Sequence, residues 1–88
     1  MLKKVVRLGD ISDHGGKMIT ANSHYKADGI QTCVDGDLHD CPLLDHGITK
    51  VHATTIITKS NGKYILRIGD MAECGAIIIR GSGVTKSS

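Results

Sequence analysis

One short phrase occurs three times in this chain: Arg7-Leu8-Gly9-Asp10, Val34-Asp35-Gly36-Asp37 and Arg67-Ile68-Gly69-Asp70. Two copies follow a turn dipeptide, Asp28-Gly29 or Asn61-Gly62, whose glycine lies seven residues before the glycine of the Gly-Asp. Each Gly-Asp is followed by a His or Cys: His14, then His39 and Cys41, then Cys74. A repeat at such a period marks units that cannot bury an apolar face alone and must pack on copies of themselves. The repeating points also carry soft-metal ligands, so the first inference is a small repeat fold pinned by a metal.

Composition sharpens this. The chain has 88 residues, enough for one domain with a marginal core. It has no Trp, no Phe and two Tyr, so large aromatic contributions to the core are missing. Small and β-branched residues with eleven Gly suit short strands and tight turns better than helices. Strands are expected over residues 3–8, 17–21, 30–34, 48–58, 64–68 and 76–80. Asn61-Gly62 and Asp28-Gly29 supply the positive φ angles of type I′ hairpin turns. No stretch sustains helical periodicity. The fold class is all-β: a small repeat fold of short strands with pseudo-threefold symmetry, its ligand-bearing loops converging at one end and pinned by a metal. Residues 1–81 form the domain, and 82–88, rich in Gly and Ser, are expected to fray.

A net charge of +2 with scattered basic residues gives no nucleic-acid patch. No run approaches the ~18 apolar residues of a membrane span. The N-terminal apolar stretch ends at Arg7, too early for a signal peptide, so the chain is expected to be cytoplasmic when made. Three cysteines argue against a closed disulfide framework, and Cys beside His in a reducing compartment points to metal. Cys33, inside a strand-like stretch, reads as a buried core thiol.

The densest donor cluster lies in 39–46. Residues two apart on a strand project to one side, so His39 and Cys41 can share a centre, and Pro42 turns the loop so that His46 returns. With His14 from the first loop, three imidazoles and a thiolate suit a closed tetrahedral zinc site of the structural kind. The repeat register offers another set: His14, Cys41 and Cys74 each lie four residues after the repeated Asp, with His46 or His39 as the fourth donor. His24 and His52 read as surface side chains. The three repeated Asp read as caps on turns. No activated nucleophile, carboxylate pair or phosphate loop is visible, and 88 residues leave little room for a cleft of ~300 Å³. An enzyme is not expected.

Taken in order, Arg7-Leu8-Gly9-Asp10, His14-Gly15-Gly16, Gly36-Asp37, Cys41-Pro42, His46-Gly47, Asn61-Gly62, Arg67-Ile68-Gly69-Asp70 and Cys74-Gly75-Ala76 resemble PAAR-repeat proteins over roughly residues 5–81. The Pro-Ala-Ala-Arg stretch that names the family stands here as Tyr64-Ile65-Leu66-Arg67, keeping only the arginine. The resemblance implies a cone that caps the trimeric VgrG spike of a type VI secretion system and sharpens it for envelope penetration. It implies zinc near the vertex, the matching residues being His14, His39, Cys41 and His46. It also implies secretion by that system without a cleaved signal, a monomer on its own, and any toxic effector carried by a partner. The alternative is a stand-alone small zinc-binding protein or metal sensor.

Overall fold

The computed structural model describes residues 3–42, 47–54, 59–60, 62–83 and 85–87. The described residues form ten short strands and no helix. A four-stranded antiparallel sheet runs in the order β2 (Lys17–Met18), β5 (Leu38–Cys41), β6 (Gly47–His52) and β9 (Met71–Ala72). Around it lie three two-stranded ribbons: β3 (Lys26–Ala27) with β4 (Ile30–Gln31), β7 (Lys59–Ser60) with β8 (Lys63–Tyr64), and β1 (Lys3–Lys4) with β10 (Lys86–Ser87). The extents, 32 × 22 × 22 Å, have one long axis and two equal transverse ones, as a cone with a threefold axis requires.

The strands are shorter than the sequence runs because each run changes partner midway. The symmetry responsible is written in the backbone hydrogen bonds. Val6 N–H donates to Leu66 C=O, Leu66 N–H to Cys33 C=O, and Cys33 N–H to Val6 C=O, closing a ring of three. Two residues further along, Leu8 N–H donates to Gln31, Asp35 N–H to Tyr64 and Ile68 N–H to Lys4. Each repeat therefore hands its strand to another, and the third returns to the first. No unit can form its hydrogen bonds alone.

The Gly-Asp phrase makes the same turn three times. The N–H groups of Arg7, Val34 and Arg67 donate to Oδ2 of Asp10, Asp37 and Asp70 at 2.7, 2.7 and 2.8 Å. The preceding Gly9, Gly36 and Gly69 take φ of 85°, 89° and 91°, which an L side chain resists. Beyond each turn the chain reverses: Gly9 N–H donates to Met18, Gly36 N–H to Val51 and Gly69 N–H to Ile78. The Asp residues cap turns as expected, and all three are buried.

The core is stacked in threes. Val6, Cys33 and Leu66 form one layer and Met18, Val51 and Ile78 another, in one buried cluster with Ala72 and Ala76. Burying each larger aliphatic side chain contributes about 1.5–3 kcal/mol before chain entropy is subtracted. Cys33 is a buried core thiol, its sulfur donating to Thr20 C=O.

The Asp28-Gly29 turn has φ of 56° and 78°, both positive as type I′ requires, between the paired Ala27 and Ile30. In the second hairpin Gly62 has φ of 74°, and Asn61 lies outside the described residues. Lys86–Ser87, in the tail, pair with Lys3–Lys4 as the third ribbon. Ser82 N–H donates to Val5 C=O and Val5 N–H to Thr85 C=O, as Ser23 N–H donates to Thr32 C=O and Thr32 N–H to Tyr25 C=O. These bonds join residues 82–87 to residues 3–5 in the pattern that the first hairpin makes with its own strand. Asp28 fastens the tail, accepting from Ser82 Oγ at 2.7 Å and pairing with Arg7.

Candidate metal centre

Past the first and third Gly-Asp turns the chain turns tightly at residues 13–15 and 73–75, and past the second it runs on as β5. Pseudo-threefold symmetry turns the fourth residue after each Asp toward the same place. His14, Cys41 and Cys74 meet there, one ligand atom from each lying within 4.8 Å of the others. Cys41 Sγ and His14 Nδ1 are 3.7 Å apart. A tetrahedral zinc ion with bonds of ~2.3 Å to sulfur and ~2.0 Å to nitrogen holds such atoms about 3.6 Å apart. The observed spacing fits, and two thiols with an imidazole are a soft donor set. This group could hold a metal ion.

Its surroundings suit that. Burial works to raise the Cys74 thiol, but the Thr49 hydroxyl, the Ala76 amide and Cys41 outweigh it and hold Cys74 below the ordinary thiol value. Thr49 Oγ1 is buried and makes no hydrogen bond of regular geometry among the described residues. The far nitrogen of His14, Nε2, lies 3.9 Å from Asp13 Oδ1, too long for a hydrogen bond. Cys41 is buried, while His14 and Cys74 keep part of their surface in solvent.

His39 is on the same side of β5 as Cys41, and both are buried. It is not in the group of three. Nε2 of His39 lies 2.8 Å from Ser12 Oγ, and burial lowers its pKa, favouring the neutral ring. The reason is strand rise: residues two apart stand almost 7 Å apart along a strand, so they occupy successive layers rather than one ion's reach. His39 shares its layer with Ser12 and Ala72, each two residues after the repeated Asp. Gly16 lies against it; a Cβ there would come within 2.5 Å of His39 Nε2 and closer still to the Asp40 carbonyl. His46 lies outside the described residues. Cys74, which the strand argument passed over and the repeat register named, lies in the group of three.

His24 and His52 are on the surface, as expected. His52 bridges two repeats, with Nε2 2.8 Å from Glu73 and Nδ1 3.5 Å from Asp35. The fold does leave surface hollows larger than the sequence suggested. One of about 380 Å³ is lined by Lys3, Ile68, Gly69 and Ile77–Ile79, and one of about 360 Å³ by Gly15, Gly16, Lys17, Asp40 and Pro42. Neither is lined by the three donors.

A family model described as PAAR motif matches residues 8–80. The chain belongs to the PAAR motif family. The match takes in all three Gly-Asp dipeptides and the three residues that could hold a metal. PAAR motif proteins are structural and are associated with the spike tips of type VI secretion systems. A search of curated proteins finds no match to this chain. Among the described residues of this PAAR protein no helix is long and apolar enough to cross a membrane.

Proposed function

We propose that this PAAR protein is a structural spike tip. It caps the blunt end of a trimeric VgrG spike, sharpens it for envelope penetration, and is stapled by one zinc ion. It acts without catalysis and leaves the cell with the spike. The observation that carries the reading is the closed ring of Val6, Cys33 and Leu66, which gives one chain a threefold axis. A single chain so built offers three near-equivalent faces to a threefold partner.

In this reading zinc is held by His14, Cys41 and Cys74, with His46 as the fourth donor. His39 packs one layer below and steadies the loop through Ser12. Bound there, zinc supplies a cross-link between all three repeats in a domain without large aromatic residues, and metal affinity becomes folding free energy.

Two measurements test this. Purified protein should co-migrate with a VgrG trimer at one chain per trimer; failure to bind removes the spike-tip role and leaves a stand-alone zinc protein. Elemental analysis should give one zinc per chain, lost in Cys74→Ser and kept in His39→Ala. Zinc kept in Cys74→Ser and lost in His39→Ala would restore the set of three imidazoles and one thiolate.

A further inference from the structure

A site with a single thiolate cannot form a disulfide within itself, but this one has two cysteines. Cys41 and Cys74 come from different repeats, 33 residues apart in sequence, and their sulfurs lie within 4.8 Å of each other. Cys41 is buried, whereas Cys74 keeps solvent contact. The third thiol, Cys33, is fully buried and bonded to Thr20 C=O, in the core layer with Val6 and Leu66.

We propose that Cys41 and Cys74 are a redox pair that releases the metal when oxidised by a peroxide. The inference rests on the metal reading above. Cys74 is the sulfur an oxidant can reach. Its thiolate attacks hydrogen peroxide and, with one proton, gives Cys74 sulfenic acid and water. The Cys41 thiolate then attacks the Cys74 sulfur; the S–S bond forms, the S–O bond breaks, and the hydroxide leaves with a second proton as another water. Two thiolates have given two electrons to one peroxide, and two waters leave.

The disulfide withdraws two donors at once. An S–S bond of about 2.05 Å also draws the sulfurs closer than the ~3.8 Å edge that tetrahedral zinc needs. The remaining imidazoles hold zinc too weakly to keep it. A covalent link then takes over joining the second and third repeats, but the first loses its tie. Such a site is stable in a reducing compartment and changes state in an oxidising one.

The test uses the full wild-type chain as isolated, its zinc first measured. Hydrogen peroxide is added stepwise, released zinc is read with a chromogenic chelator, and the protein is digested after thiol blocking for disulfide mapping by mass spectrometry. The expected result is loss of two of the three free thiols, a Cys41–Cys74 cross-link, and one zinc released per cross-link. Dithiothreitol with added zinc should reverse it. Cys33→Ser should behave identically; if that variant does not fold, the wild-type map still shows whether Cys33 stayed reduced. Zinc release with Cys41 and Cys74 unlinked, a cross-link to Cys33, or a cross-link that leaves zinc bound overturns the proposal. A chain isolated without metal refutes the metal reading instead; the map then decides the thiol pairing on its own.

Discussion

Asp37→Ala tests the repeated turn at its second copy. The carboxylate is 1% exposed and accepts four hydrogen bonds: Val34 N–H at 2.7 Å, Thr20 Oγ1 at 2.9 Å, Asn22 N–H at 3.0 Å and the Asn22 side-chain amide. Each bond to a charged acceptor contributes about 1.5–3 kcal/mol when measured singly, but the four share one anion and do not add. Thr20 and Asn22 stand at the surface and can turn to water. Val34 is buried, and its N–H left without a partner costs about 1–3 kcal/mol. With one further charge-assisted bond the expected loss is about 3–5 kcal/mol. A domain of this size has about 4–13 kcal/mol in all. At roughly 4–8 °C per kcal/mol, Tm should fall by at least ~12 °C. Because the chain has no Trp, guanidinium unfolding is followed by far-UV circular dichroism, with zinc held constant. Asp40→Ala, on the exposed face of β5, serves as control and should change stability by less than ~0.5 kcal/mol. A loss below ~1 kcal/mol for Asp37→Ala would mean that the Gly-Asp turns do not hold the repeats together.

Gly16→Ala should cost at least ~1–3 kcal/mol and weaken metal binding, since its Cβ would push against Asp40 and His39 on the strand that carries Cys41; Gly83→Ala, with open space around it, should be silent in the same melt. Leu66→Ala should cost about 2–5 kcal/mol by opening a cavity on the axis, read by the same unfolding curve. The hydrogen bond that His52 donates to Glu73, opposed by slight burial and helped by Asp35, raises the pKa of His52 above its ordinary 6.5. NMR titration should find it there and see it fall in Glu73→Gln. A raised histidine stabilises the fold fully below its unfolded pKa and loses that contribution as pH rises through the folded value. Exposure keeps the effect small, so the titration and not the melt is the readout.

The sequence by itself determined the fold class and the number of units. Three Gly-Asp phrases and two Asx-Gly turns dictate backbone geometry locally, because a positive φ and an aspartate capping an amide three residues back need no distant partner. The buried Cys33, the surface His24 and His52, and the capping role of the three Asp followed from local pattern in the same way. The membership of the donor group depended on which residues share a height on a common axis. Period-two alternation says that His39 and Cys41 face the same side, and they do; it carries no information on how far apart two such residues stand from a third chain segment. Only packing three repeats against one another set His14, Cys41 and Cys74 at one level and His39 at the level of Ser12. The tail has the same lesson. A Gly- and Ser-rich end has no local preference for order; the pairing of Lys86–Ser87 with Lys3–Lys4 is a contact between distant segments that only the tertiary structure shows.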